Sequence, residues 1–287
     1  MKETYFESEI VQTENFSADV YLDYFNERMR VDDFRGSQSA LWDFIEEKAV
    51  QHSFAKVILK CRPEYTSFFL QHGFVVEAHF KGYFNGGDCL FLSRFYTKKR
   101  KDSAYWIEED KTIDHCMKLE RSASLPFLPE GCIIRKADTR DASRLAHLYG
   151  AVFKVYPTPM NDPDYIKKVM QEGTIFYCAE KDGVIVSAAS AETLVKYHNA
   201  EITDCATLEE FRKFGLMKIL IHRLEEELRK MGIYCAYSLA RALSFGMNAV
   251  FHQRGYRYFG RLANNCIIFE DYEDMNLWVK DLSEERR

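Results

Sequence analysis

The sequence predicts an α+β to α/β fold: a mixed β-sheet flanked by helices, with a related unit ahead of it. Three observations carry this. Strand-like and helix-like patterns alternate from Cys132 to the C-terminal region. The turn Lys181-Asp182-Gly183 separates two strand patterns and is a hairpin signal. A helix–strand–helix pattern in the first hundred residues returns after residue 220.

The elements follow in order. Cys132-Ile133-Ile134-Arg135 reads as a strand, and Asp138 as the N-cap of a helix carrying Ala142, Leu145, Ala146, Leu148 and Val152. After the proline-rich Tyr156-Pro157-Thr158-Pro159-Met160, Asp162-Pro163 opens a second helix through Ile166 and Met170. Strands are expected over 174–179, 184–190 and 199–207, then a long helix over 215–231, where Leu216, Ile219, Leu220, Leu224 and Leu228 fall at helical spacing. Residues 234–239 read as a strand, 244–254 as a helix, and 256–261 and 266–269 as two final strands.

The earlier unit echoes this. Ile45-Glu46-Glu47-Lys48, the strand Lys56–Lys60 and Ser67-Phe68-Phe69-Leu70-Gln71-His72-Gly73-Phe74 parallel Leu224-Glu225-Glu226-Glu227, Ile233–Tyr237 and Ala249-Val250-Phe251-His252-Gln253-Arg254-Gly255-Tyr256. Strands over 75–83 and 89–95 complete the echo. Between the units, residues 98–131 begin with Lys98-Lys99-Arg100-Lys101, read as a solvated linker, and end in Leu125-Pro126-Phe127-Leu128-Pro129-Glu130-Gly131. Ile113, Met117 and Leu119 suggest a short amphipathic helix within it. This divides the chain into an N-terminal unit with linker, 1–127, and a second domain, 128–287.

Composition narrows the function. The 287 residues are 47% hydrophobic and 29% charged, enough for a sizeable core, and the net charge is -5. That balance argues against a nucleic-acid partner, which phosphate attraction would match with clustered Lys and Arg. The eight cysteines are dispersed without a CxxC pair, so they are expected to be buried free thiols, with no metal site. Residues 1–7 lack the apolar core of a leader, and no apolar run approaches the ~20 residues of a membrane span. A soluble cytoplasmic protein is expected, with no membrane partner and an open oligomeric state.

The junction after strand 199–207 holds the first chemical motif, Arg212-Lys213-Phe214-Gly215-Leu216-Met217. A helix that opens at glycine presents unpaired backbone N–H groups and the positive end of its dipole. Arg212 and Lys213 add charge, and the whole suits a pyrophosphate.

Over about 131–270 the sequence resembles the GNAT acyltransferase superfamily, whose acyl-CoA loop reads Arg/Gln-x-x-Gly-x-Gly/Ala. Arg212 and Gly215 match, and Met217 departs at the last position. The resemblance implies acetyl-CoA as co-substrate, held by Cys205, Ala206, Thr207, the 212–217 loop, Ser244 and Asn248. It implies a degenerate GNAT-like unit at the N-terminus, since Phe34-Arg35-Gly36-Ser37-Gln38 is the nearest approach there to a phosphate loop. Phe251 stands where many members carry the tyrosine that protonates the CoA thiolate, and phenylalanine donates no proton. Most of the chain is further similar to the β-lysine N-acetyltransferases, on Glu201-Ile202-Thr203-Asp204-Cys205-Ala206-Thr207, Tyr237-Ser238-Leu239-Ala240-Arg241-Ala242, Gly246-Met247-Asn248 and Met275-Asn276-x-Trp278. That likeness implies a small-molecule amine acceptor and a product, Nε-acetyl-β-lysine, of the compatible-solute kind. Protein, peptide or polyamine acetylation, or acyl-CoA sensing without catalysis, are the alternatives.

An alkylammonium, with a pKa of roughly 10.4, attacks a thioester only after losing a proton. A carboxylate base and an N–H aimed at the developing oxyanion are therefore required. By resemblance to the histone-acetylating branch, Glu201 is the expected base, with Asp204 the rival. A regular strand would point these two to opposite faces, and a bulge would bring them together. Cys205 is read as backbone and core, not as a nucleophile. Tyr156 is expected to line the acceptor's alkyl chain, and Arg241 to bind its carboxylate.

Overall fold

The structure, a computed structural model, describes residues 5–121 and 124–283. The first unit runs β1 (Phe6–Gln12), β2 (Phe16–Asp23), β3 (Arg28–Gly36), α1 (Gln38–Gln51), β4 (Lys56–Cys61), α2 (Thr66–Gln71), β5 (Val75–Phe84) and β6 (Gly87–Phe95). Two linker helices follow, α3 (Lys98–Lys101) and α4 (Trp106–Met117). The second unit is β7 (Cys132–Lys136), α5 (Ala142–Val152), α6 (Pro163–Gln171), β8 (Ile175–Lys181), β9 (Val184–Leu194), β10 (Asn199–Thr207), α7 (Leu216–Lys230), β11 (Cys235–Arg241), α8 (Phe245–Gln253), β12 (Arg257–Ile268) and β13 (Asp271–Asp281).

All thirteen strands join one mixed sheet, ordered β1-β2-β3-β4-β6-β5-β12-β13-β11-β10-β9-β8-β7. Its two halves mirror each other about the β5–β12 seam. In the first half the parallel pair β3–β4 is connected through α1, and β6 lies between β4 and β5. In the second, the parallel pair β10–β11 is connected through α7, and β13 lies between β11 and β12. At the seam Gly260 opposes Ala78, at φ +133°. A Cβ there would lie 2.5 Å from the Glu77 carbonyl oxygen, so only glycine allows this approach.

Each half-sheet buries one face in the ordinary way. Val20, Val31 and Leu59 pack on Leu41 and Ile45 of α1 and Phe69 of α2. Ala200, Ile202 and Ala236 pack on Leu220, Leu224 and Leu228 of α7, whose spacing lays one apolar stripe along the sheet. The opposite faces of the two halves turn toward each other. Ile58, Phe80, Tyr83 and Phe91 of the first meet Tyr197, Tyr237, Leu277 and Val279 of the second in a shared apolar cluster. Phe80 and Tyr237 stack edge to face with centroids 4.7 Å apart.

Two sequence expectations are corrected and one strand is added. The segments 256–261 and 266–269 are not two strands but one, β12, whose register shifts twice where Gly260 and Asn264 take positive φ. Those irregularities read as turns in sequence, and the following strand β13 was hidden by its charges, of which Asp274 is buried. The run 98–101 is helical, and Arg100 is 1% exposed rather than solvated. It donates to the carbonyls of Asn26 (2.7 Å) and Asn265 (3.0 Å) and lies over the Tyr272 ring, tying the linker to both halves.

Candidate active site

Strands β10 and β11 pair only over Asn199–Glu201 and Cys235–Tyr237, although they continue to Thr207 and Arg241. Beyond Glu201 a wedge opens, and the β11-facing backbone groups of β10 are left for a ligand. Its far end is the predicted loop. Gly215 caps α7 at φ +73°, and no side chain caps the helix, so its first N–H groups stay open. Arg212, Lys213 and Phe214 are exposed, and Arg212 Nε donates to the Thr207 carbonyl at 3.3 Å. Leu216 and Met217 point into the core, so Met217 does not crowd the helix N-terminus and both offer only backbone N–H. A Cβ on Gly215 would come within 2.6 Å of Pro126, whose ring covers the loop. An anionic diphosphate fits this end. The corresponding β3–α1 junction differs: the Ser37 hydroxyl accepts from Ala40 N, and a Cβ on Gly36 would lie 2.3 Å from the Asn15 carbonyl oxygen, leaving no open cradle.

Charge reversal at Arg212 and Lys213 together is expected to weaken CoA binding at least tenfold, the loss of about two charged contacts at a helix terminus. Calorimetry on the folded double variant checks this, and unchanged affinity would remove the loop from the site.

The remaining predicted cofactor residues divide. Ala206 is buried, and its carbonyl accepts from Ser187 Oγ at 3.0 Å; Thr207 Oγ1 lies 2.7 Å from the same hydroxyl. Burial pushes the Cys205 thiol far up, which suits packing and not nucleophilic attack. Ser244 caps α8 with a side chain that makes no cap hydrogen bond. Asn248 is corrected. Its amide donates to the carbonyls of Arg241 (2.9 Å) and Ser244 (2.8 Å), and its oxygen accepts from Asn276 (3.0 Å) and Trp278 (2.8 Å). With both donors and both lone pairs spent, it braces the β11–α8 turn against β13 and has nothing left for a cofactor.

The other end of the wedge lies where the two half-sheets face each other. Glu201 opposes Glu192 of β9 and Tyr237 of β11, so all three share a face. Glu201 pairs with Glu192 and Ala206 with Ala188, so β10 carries one extra residue. The bulge sits at Asp204, at φ +49°. It turns Asp204 onto the Glu201 face, where the Ser190 hydroxyl donates to it at 2.6 Å and Tyr156 hydrogen-bonds it. Tyr149 fixes the bulge by donating to the Asp204 carbonyl at 2.9 Å. Tyr156 thus stands beside the carboxylates.

The first unit packs along this face. Asn199 donates to the Tyr83 carbonyl at 2.8 Å, Tyr197 hydrogen-bonds Asp33, Lys196 pairs with Asp19, and Phe6 meets Tyr165 of α6. Inside this ring lie Tyr21, Arg30, Asp32 and Lys60. Arg30 forks onto Asp32 (2.9 Å at Nη2) and lies 4.5 Å from the centre of the Tyr21 ring. Lys60 reaches Asp32 at 3.0 Å and the Tyr83 hydroxyl at 3.0 Å. Glu192 is exposed and Glu201 and Arg30 are half-buried, so this charged face is a cleft that solvent reaches.

The electrostatics of this cleft follow. Burial, and then repulsion from Glu201 and Asp204, push Glu192 above the carboxylate range. Burial raises Asp204 too; the Ser190 and Tyr156 hydrogen bonds oppose this, and Glu201 adds to it. Burial works against the Asp32 charge, but Arg30 and Lys60 overcome it and hold the carboxyl well below its usual range. A carboxyl raised on folding keeps its proton longer in the folded state, so its contribution to stability falls as pH rises from its unfolded to its folded pKa. Glu192 keeps accessible surface and solvent screens its repulsions, so Glu192→Gln is expected to raise Tm by only about a degree at pH 8–9 and to change it little at pH 4. Thermal melts across pH check this, and a pH-independent difference would contradict it.

Arg241, expected to hold the acceptor carboxylate, does not stand here. It is paired with Glu273 at 2.6 Å and covers the Phe269 ring, so its charge is spent within its own half. Phe251 is 1% exposed and packs edge to face on Tyr256, and supplies no acid. Sequence reasoning also missed Glu192, Tyr165, Arg30, Asp32 and Lys60. One signal existed: Lys56-Val57-Ile58-Leu59-Lys60 puts charges at both ends of an apolar strand, on one face.

Comparison with known proteins places this geometry. Residues 142–256 match the Acetyltransferase (GNAT) family model. The chain is 37% identical to the N-acetyltransferase YodP of Bacillus subtilis over 95% of this chain and 98% of that protein. It is 35% identical to the Beta-lysine N(6)-acetyltransferase of Methanosarcina mazei, over 87% and 100% of the two chains. It is 34% identical to the enzyme of the same name from Methanococcus maripaludis, over 79% and 82%. With a sheet whose second half splays after three paired residues and ends at an open helix N-terminus, the chain belongs to the GNAT acetyltransferase family and is an N-acetyltransferase that draws its acetyl group from acetyl-CoA.

Proposed function

We propose that the chain acetylates the side-chain amine of β-lysine, giving Nε-acetyl-β-lysine as a cytoplasmic compatible solute. The observation that carries this is the charged cleft where the two half-sheets face each other. It holds three carboxylates on one wall and two cations with one carboxylate on the other. A β-lysine has two ammonium groups and one carboxylate, which complements those walls. Two relatives bear the name of this activity over most of their length.

Bound acetyl-CoA supplies the acetyl group as a thioester, which a neutral amine attacks directly in a ternary complex. Glu201, at the last paired residue before the wedge, takes the ammonium proton ahead of that attack and so frees the nitrogen lone pair, and Asp204 is its rival. The unpaired N–H groups of β10 beyond Glu201 lie along the wedge and suit the developing oxyanion. The N-terminal unit is a GNAT-like half without a cofactor site of its own, and residues 128–287 form the catalytic domain.

Phe251 favours a second reading, an acyl-CoA sensor, because no proton donor stands at the usual position for the thiolate. Thiol release from acetyl-CoA, measured with β-lysine, lysine, spermidine and a histone-like peptide, separates the readings. Turnover is expected with β-lysine well above the others. Preference for the peptide, or CoA binding with no turnover, would overturn the proposal.

A further inference from the structure

The first unit's Arg30 has no role in the chemistry of acetyl transfer, yet it is held as a binding group is held. Two of its N–H donors, at Nε (3.3 Å) and Nη2 (2.9 Å), are fixed by Asp32. Its flat face rests on Tyr21, which also stacks on Phe6. Asp32 is in turn fixed by Lys60 at 3.0 Å, and Lys60 by the Tyr83 hydroxyl. The guanidinium is thus locked in one orientation, while its Nη1 makes no hydrogen bond among the described residues. The cluster carries two cations and one carboxylate, so one positive charge is left over in the cleft wall.

Across the cleft the charges have the opposite excess. Among the described residues neither Glu192 nor Glu201 has an ion-pair partner, and Asp204 accepts only from hydroxyls. Glu201 lies within electrostatic reach of Arg30 without pairing with it. A molecule that fills the space must bring cations to the β9–β10 wall and an anion to the β3–β4 wall. Arginine is the side chain best shaped to take a carboxylate on two N–H groups, and one fixed in advance loses little entropy on binding.

We propose that Arg30 anchors the carboxylate of the amino-acid acceptor, so that the N-terminal unit selects the substrate and the C-terminal unit performs the transfer. This rests on the small-amine reading above. The selection is for an amine bearing an acid group at its far end, against plain diamines of the same length. Lys60 and Asp32 act as positioning residues that hold the fork.

The test compares β-lysine with 1,4-diaminopentane, which is β-lysine without its carboxylate, and with β-lysine carboxamide. In the wild-type enzyme both analogues are expected to raise KM about 30–100-fold, the loss of a charged hydrogen-bonded contact. Arg30→Gln is expected to raise KM for β-lysine by a similar factor, and to change kcat/KM for 1,4-diaminopentane less than threefold. A general loss on all three acceptors would show a structural role, and an unaltered KM for β-lysine would remove Arg30 from the site; either overturns the anchor. If Arg30→Gln does not fold, the wild-type comparison decides alone: equal KM for acid and carboxamide overturns the proposal. Wild-type enzyme that releases no thiol with β-lysine would overturn the small-amine reading itself, a result distinct from intact β-lysine turnover that ignores Arg30.

Discussion

Glu201→Gln is expected to lower turnover roughly 10²–10⁴-fold while leaving acetyl-CoA affinity nearly unchanged. The amide keeps the shape of the side chain at the mouth of the wedge, but it takes no proton from the ammonium. The residual rate is expected to climb with pH, because a free amine with a pKa of roughly 10.4 is increasingly deprotonated before it binds. Removing Glu201 also removes a charge that raises Asp204 and Glu192. Both become weaker bases in the variant, so neither readily takes over. Asp204→Asn serves as the parallel measurement. If Glu201→Gln keeps most of its turnover and Asp204→Asn loses it, the bulge residue is the base.

The largest effect on stability is expected from Glu225→Gln. Glu225 is fully buried on α7 and accepts from Arg254 Nη2 at 2.6 Å and Lys280 Nζ at 2.7 Å. Lys280 also donates to the Arg254 carbonyl at 2.8 Å, so the three groups lock α7 to the end of α8 and to β13. The amide would leave two cations in the interior without their carboxylate, a loss of about 3–5 kcal/mol. In a chain of this size that corresponds to a Tm lower by about 6–20 °C. The exposed pair Arg223–Glu226, on the same helix, is the control, and its removal is expected to change stability by less than about 1 kcal/mol. Equal effects from the two would show that water reaches Glu225.

How much of this was legible depended on sequence distance. Strand 199–207 and helix 216–230 were readable because each carries its own period, and the loop between them because glycine and two cations are local signals. The bulge at Asp204 was not: no residue type requires it, and it is fixed by Tyr149, 55 positions away. The facing wall was invisible for the same reason. Tyr197 and Asp33 are 164 positions apart, and Arg28 and Asn265, joined at 2.9 Å, are 237 apart. The internal echo points to a second, degenerate unit, but repeated local patterns do not tell which face that unit turns to the first. Only the mirrored sheet shows that its charged face looks toward Glu201. Arg241 misled because an arginine at a strand end reads alike whether its carboxylate is a ligand's or, as here, Glu273.

One structure tests the account most directly: a dead-end complex with CoA and β-lysine. The account predicts the β-lysine inside the cleft between the half-sheets, its carboxylate on Arg30, its reacting nitrogen within hydrogen-bond reach of Glu201 or Asp204, and that nitrogen facing the CoA sulfur in the β10–β11 wedge. An acceptor bound on the outer surface of residues 128–287, with no contact from Arg30 or its neighbours, would contradict it.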